Sequence, residues 1–195
     1  MKHDFFAYIS RMKYIARWSL MRSTVQENIQ EHSHMVAVLA HALGLIRRDV
    51  LGADCDPEHL AAIALYHDAP EILTGDLPTP IKYHSAAIKN AYDEVEDLAV
   101  ERLLSELPEA LRPAYRALLT ASERSEEYAL VKAADRLSAY IKCVEERKAG
   151  NLEFSSAEQA SRQKLEALGL PEVDWFLANL MPGFEKNLDE LGTFE

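Results

Sequence analysis

Apolar residues recur along the chain at intervals of three and four, the spacing that gathers side chains on one face of an α-helix. Phe5, Ile9, Met12 and Ala16 predict a first helix behind Asp4, a good N-cap residue. His32, Val36, Leu39, Leu43 and Ile46 make one face of a second helix, widened by Met35, Val38, Ala42 and Leu45. Asp56-Pro57 pairs an N-cap with proline at the first helical position and opens a third helix through Leu60, Ile63, Ala64 and His67. Leu65 and Tyr66 read as buried on it. Pro70 ends or kinks that helix, because the residue before a proline avoids the helical region. Residues 72–84 hold Gly75, Pro78 and Pro80 and read as a loop.

From Ser85 onward, Ile88, Tyr92, Val95, Leu98 and Arg102 predict a long amphipathic helix that stops before Pro108. A short helix carries Leu111, Tyr115 and Leu118. Residues 123–148 predict another long helix, with Leu130, Ala134, Leu137, Ile141 and Val144 as its stripe and Gly150 as its C-cap. Helices over about 156–168 and 172–180 follow, then a short tail helix after Pro182-Gly183. Apolar stripes along 85–106 and 172–192 could pack within the chain or against another copy. No stretch alternates for long as a strand does. The fold class is therefore all-α, a helical bundle. With 195 residues, the chain fits one domain, its motifs lying in about 28–145 and its C-terminal helices packing on that core.

Composition narrows the function classes. No run of about 18 apolar residues exists, so no membrane span is expected. Asp4, Arg11 and Lys13 interrupt the apolar positions of "MKHDFFAYISRMKY", which does not read as a signal peptide. Cys55 and Cys143 lie far apart and favour a reducing, cytoplasmic location without a disulfide framework. A net charge of −11 argues against a nucleic-acid polymer as partner, because binding its phosphates needs a positive footprint. A small anionic substrate would need a local cation: Arg, Lys or a metal.

Ionisable residues interrupt the apolar stripes of three helices. His32 continues the Val36/Leu39/Leu43 face, and His67 continues the Leu60/Ile63/Ala64 face with Asp68 beside it. Asp135 lies among Val131, Ala133, Ala134, Leu137 and Ser138. Singly, each has a plain reading: a hydrogen-bonded core histidine, or an aspartate paired with Arg136 or Arg17. Together, two histidines and two carboxylates converging from three helices make the ligand set of a metal site in a bundle. Imidazole and carboxylate without thiolate suit Mn, Fe, Co, Ni or Zn. His34 and His41 share the opposite face with Arg48, and His3, His59 and His84 fall at helix starts or in loops. None of these five is expected to bind a catalytic metal.

His…His-Asp…Asp is also the signature of the HD-domain phosphohydrolase superfamily. "ENIQEHSHMVAVLAHAL" supplies the first His, "LYHDAPEILTGDLPTP" the His-Asp pair and "LVKAADRLSAYIKC" the last Asp. With "RWSLMR" at 17–22, "EHS" at 31–33 and "KCVEE" at 142–146, the chain resembles the bacterial 5′-deoxynucleotidases of that superfamily over nearly its whole length. The resemblance implies hydrolysis of deoxyribonucleoside 5′-monophosphates, a homodimer, and one divalent transition metal, Co, Mn, Fe, Ni or Zn, on His32, His67, Asp68 and Asp135. It matches Glu71 to a catalytic acidic residue beside Asp68. Arg17 and Trp18 match a substrate-contacting pair, and Asp76, Leu77, Pro78 and Thr79 a substrate loop. His32, Asp68 and Asp135 would then also face substrate. In this reading Arg17 clamps phosphate, Asp76 accepts a sugar hydroxyl, Thr79 donates to the nucleotide, and crowding by Trp18 sets the preference for deoxyribose. No set of side chains suited to reading base edges stands out. The rivals are an HD phosphohydrolase acting on nucleoside triphosphates or signalling nucleotides, with Lys82, Lys132 and Arg136 as extra cations, and a non-catalytic scaffold that keeps a structural metal.

Overall fold

A computed structural model of the chain describes residues 3–121 and 126–192. The helices are α1 Phe5–Ile9, α2 Ile29–Leu45, α3 Pro57–Tyr66, α4 Glu71–Thr74, α5 Thr79–Lys82, α6 Ala86–Ser105, α7 Arg112–Leu119, α8 Glu126–Lys148, α9 Ser155–Glu166 and α10 Pro171–Asn179. Among the described residues no strand forms, and one isolated antiparallel bridge joins Ala16 to Asn28. The fold is all-α, as the periodicity predicts.

Local chemistry sets the main helix ends. The Asn28 side chain accepts the Gln30 and Glu31 N–H groups at 3.1 and 3.0 Å, and the Glu31 carboxylate accepts the Asn28 N–H. This reciprocal cap contributes about 1 kcal/mol and fixes where α2 begins. Asp56 caps α3 through the His59 N–H with Pro57 at the first position, and Ser85 caps α6 through the Ile88 N–H. Gly150, at φ +84°, ends α8, and the Asn151 N–H reaches back to the Glu146 carbonyl at 2.9 Å. That closure needs a left-handed residue, which glycine adopts without a Cβ clash.

The core lies where α2, α3 and α8 meet. Val36, Leu39, Ala40 and Leu43 pack on Leu60, Ile63 and Ala64, and both sets pack on Leu130, Ala134, Leu137, Ile141 and Val144. Leu165, Val173 and Phe176 extend this core toward α9 and α10. Each fully buried leucine contributes about 2–3 kcal/mol of transfer free energy. A second cluster holds Phe5, Ala69, Val100, Leu103, Leu104 and Leu107, flanked by Tyr66 and Tyr115. The first cluster aligns the start of α2, the end of α3 and the middle of α8.

Several elements differ from the sequence reading. The first helix stops at Ile9, a 3₁₀ turn covers Met12–Tyr14, and Ala16 is drawn into the bridge with Asn28. Asp4 stands at the N-cap of α1 without a side-chain cap bond. Residues 72–84 are not one loop: most of α4 and all of α5 lie within them. Leu65 is exposed and Tyr66 half-buried. The predicted α6 stripe faces outward, with Ile88, Val95 and Leu98 exposed, while Ala99, Val100, Leu103 and Leu104 are the buried set. The stripe along 172–192 is not continuous: α10 ends at Asn179, and a 3₁₀ turn over Met181–Glu185 includes Pro182-Gly183 instead of following it. The predicted helix start at 123–125 lies outside the described residues.

Candidate metal centre

His32, on the first turns of α2, is fully buried. Its Nε2 lies 3.2 Å from Asp135 Oδ1 and 3.6 Å from Asp68 Oδ2. Its Nδ1 lies 3.3 Å from the Ser138 hydroxyl, one turn after Asp135 on α8. His67 follows the last residue of α3, and its Nδ1 is 2.7 Å from the Ala64 carbonyl. A carbonyl only accepts, so Nδ1 holds the proton and Nε2 presents a lone pair. That Nε2 is buried without a hydrogen-bond partner and stands 3.2 Å from Asp68 Oδ1. Two electron-rich atoms at that distance repel unless a cation lies between them. One ligand atom each from His32, His67 and Asp135 falls within 4.8 Å of the other two. The donor set and the orphaned lone pair fit a divalent transition metal.

The cluster is electrostatically loaded. Lys132 Nζ sits 2.7 Å from Asp135 Oδ2, and Arg17 Nη1 sits 3.3 Å from Asp68 Oδ2. The ordinary pairing expected of Asp135 with Arg136 is therefore made by Lys132, which shares a face with it at i, i+3. Burial opposes ionisation of Asp135, but Lys132 and His32 outweigh it and hold its pKa well below the usual carboxylate range. Burial likewise opposes ionisation of Asp68, and Arg17, together with the His67 and His32 rings where they are protonated, overcomes it. Burial pushes the His67 pKa down, which keeps the ring neutral.

Glu71, the first residue of α4, is buried, and its Oε2 has no hydrogen-bond partner. Burial, then the Asp68 and Asp76 carboxylates, push its pKa up to about 10. A neutral carboxylic acid is thus held beside the cluster. Asp76 is half-buried, and burial raises its pKa against the pull of Arg17. Leu77 and Pro78 are half-buried, and Thr79 is exposed at the first position of α5. The Tyr92 hydroxyl, from α6, donates to the Gly75 carbonyl at 3.0 Å and so ties this loop to the bundle. Lys82 is engaged by Glu96 at 2.9 Å and lies over the Tyr92 ring.

Arg17 and Trp18 begin a strap closed by the Ala16–Asn28 bridge. Arg17 Nε and Trp18 Nε1 both donate to Glu27 Oε2, at 3.1 and 2.9 Å. Trp18 adopts φ +58°, the left-handed region that a bulky residue enters at a cost of about 1–3 kcal/mol. Its ring packs on buried Phe154 at 5.3 Å between centroids. The structure thus brings His32, His67, Asp68, Asp135, Glu71 and Arg17 into one cluster, with Trp18 beside it through Glu27. His34 is exposed, while His41 and His59 face Glu58 and Glu127 away from it. Glu27 and Ser138 escape the sequence reading. Ser138 shares a face with Asp135 and could have been found by spacing, whereas Glu27 reaches the site only because the bridge folds it back.

Comparison with known proteins gives a consistent picture. Residues 4–184 match the family described as 5′-deoxynucleotidase YfbR-like. A 5′-deoxynucleotidase of Vibrio atlanticus is 47% identical over 188 residues, covering 96% of this chain and 97% of that protein. One of Erwinia tasmaniensis is also 47% identical, covering 96% of this chain and 95% of that protein. Among solved structures, an HD-domain phosphohydrolase of Listeria innocua superposes with a TM-score of 0.81 at 25% identity, covering 93% of this chain and 88% of that one. The cyanophage S-2L HD phosphohydrolase, solved with dA and one catalytic Zn²⁺ ion, shares the fold with a TM-score of 0.67 at 20% identity, covering 93% of this chain and 96% of that one. The chain belongs to the YfbR-like 5′-deoxynucleotidase family of HD-domain phosphohydrolases.

Proposed function

We propose that His32, His67, Asp68 and Asp135 hold one divalent transition metal and that the site hydrolyses deoxyribonucleoside 5′-monophosphates to deoxyribonucleosides and phosphate. The observation that carries this reading is the buried Nε2 lone pair of His67 facing Asp68 at 3.2 Å, an arrangement a cation makes favourable. When bound, the metal supplies an acidified water and neutralises phosphate oxygens. Zinc, the catalytic ion of the cyanophage protein, joins Co, Mn, Fe and Ni as candidates that the donor set accepts.

The chain's own residues do the rest. Arg17, already oriented by Glu27 and Asp68, turns its remaining N–H groups to the phosphate, where a planar fork matches two oxygens. Asp68, between His67 and Arg17, keeps its charge and orients the attacking water. Glu71 holds a proton on its carboxyl and gives it to the departing 5′ oxygen, the role of a general acid with a raised pKa. Asp76 accepts a sugar hydroxyl, and Leu77, Pro78 and Thr79 carry the loop over the nucleotide. Trp18 walls the sugar, where an added 2′ hydroxyl would clash.

The whole chain acts as one catalytic unit. Ile88, Val95 and Leu98 are exposed on α6, as are Leu73 and Ile81 on α4 and α5, which pack on α6; together they supply apolar surface for a homodimer. Two free thiols, Cys55 and buried Cys143, suit the cytoplasm. Phosphate release from a panel of deoxy- and ribonucleotides, with chelated protein and each metal in turn, tests the reading. Metal-dependent release of free phosphate from deoxynucleoside monophosphates supports it. Release of tripolyphosphate from triphosphates, or no release with any metal, overturns it.

A further inference from the structure

The "KCVEE" string has no part in the chemistry above, yet its Lys142 and Glu146 join Asn151 in a deeply buried polar network outside the cluster. Glu146 is 1% exposed, Lys142 6% and Asn151 9%. Glu146 Oε2 accepts the Thr24 N–H at 2.8 Å, the Thr24 hydroxyl at 2.7 Å and Asn151 Nδ2 at 2.9 Å. Its Oε1 accepts Lys142 Nζ at 2.5 Å and the Val25 N–H at 3.3 Å. Lys142 also donates to the Val25 carbonyl at 2.6 Å, and Asn151 to the Arg22 carbonyl at 2.7 Å. Burial opposes the Glu146 charge, but Lys142, the Thr24 N–H and Asn151 more than offset it.

A buried ion pair often gains little over apolar residues of the same shape, so its geometry is the more informative feature. What it holds is informative. Apart from the Glu153 N–H that Asn151 Oδ1 accepts, the side-chain bonds that leave the trio end on the backbone or hydroxyl of residues 22–25, a segment whose Thr24 and Val25 side chains are exposed. This segment is the far side of the "RWSLMR" strap, which bears Arg17 and the strained Trp18. Glu146 also stands on the helix that bears Asp135. Eleven residues at 1.5 Å each place the two about 16 Å apart on one rigid rod. Helix α8 therefore fixes both the cluster and the strap.

We propose that the Lys142–Glu146–Asn151 trio is a positioning device that sets Trp18 against the metal cluster and thereby enforces the preference for deoxyribose over ribose. The inference rests on the function proposed above and adds to it a residue set remote from substrate. The test uses Glu146→Gln and Thr24→Ala, the second an exposed change that spares the core. Four quantities are measured: kcat and KM for deoxyadenosine and adenosine 5′-monophosphates, the metal dissociation constant, and acrylamide quenching of Trp18 emission in a Trp175→Phe background. The expected result is a fall in the deoxy-to-ribo ratio of kcat/KM of at least fivefold for Glu146→Gln and twofold for Thr24→Ala. KM should change more than kcat, Trp18 should become more quenchable, and the metal constant should stay within twofold. If Glu146→Gln does not fold, Thr24→Ala decides. An unchanged ratio in a folded variant, or a metal constant that weakens in step with activity, overturns the proposal. If the wild-type protein cleaves no nucleotide, the functional reading fails and the specificity role falls with it, while Trp18 quenching still reports whether the trio anchors the strap.

Discussion

Replacing Glu71 with glutamine should make the metal-free protein more stable at alkaline pH while removing its activity. The side chain is buried with one oxygen unpaired, and its pKa stands at about 10 against an ordinary value of 4.5. A carboxyl whose pKa is raised by folding gives stability that is fully present below the unfolded value and is lost as pH rises toward the folded one. Between about 4.5 and 8 the cost of keeping Glu71 protonated grows by about 1.4 kcal/mol per pH unit, to an upper bound of about 5 kcal/mol. Water entering the cleft lowers this to about 2 kcal/mol at pH 8, or a rise in Tm of about 4–8 °C for a chain of this size. Glutamine has the same shape and no proton to keep. Urea unfolding of chelated wild type and Glu71→Gln at pH 6 and 8 measures the difference. The variant's advantage should be larger at pH 8, and turnover of the metal-loaded enzyme should fall by about 10²–10⁴-fold. Equal pH dependence of stability in the two proteins would refute the placement of a buried neutral acid there.

Three further outcomes are expected. Ser138→Ala removes the hydroxyl beside His32 Nδ1 and should weaken metal binding by at least about tenfold, read by calorimetry and as a loss of about 1.4 kcal/mol of metal-induced stabilisation at fixed excess metal. Arg17→Lys cannot reproduce the fork that joins Glu27 and Asp68, so KM for the nucleotide should rise by about tenfold while the protein stays folded. Leu98→Glu, at a side chain 70% exposed, should leave monomer stability within about 0.5 kcal/mol yet halve the mass seen by light scattering. An unchanged mass would remove α6 from the dimer face.

What the sequence discloses about this chain depends on how local the cause is. Asp56-Pro57, Ser85 and Gly150 act on their immediate neighbours, so the helix ends they set are readable in order. The 3.6-residue period places His32 with Val36 and Leu39, and the structure gathers it with His67, Asp68 and Asp135. Ala16 shows the limit: its helical spacing yields to the Ile29 N–H bonded to the Ile15 carbonyl at 3.0 Å, a pairing of residues fourteen apart. The α6 stripe shows another, because periodicity finds an apolar face without saying what lies opposite it. Glu27 is invisible for the same reason as the bridge, since its contact with Arg17 and Trp18 depends on chain reversal. The Trp18 φ of +58° leaves no trace in residue type at all.

Gly44 sits at the far end of α2 from His32, where an added Cβ would come within 2.9 Å of Leu60 Cδ1 and 3.0 Å of the Pro57 backbone. Because α2 and α3 are stiff, a methyl group wedged into that seam would tilt one helix against the other and carry the displacement to the opposite end, where His32 and His67 stand. Coordination tolerates errors of only a few tenths of an ångström. A glycine distant from every reacting atom thereby bears on the spacing of the proposed ligands, and an alanine there would register both as a less stable chain and as a looser grip on added metal.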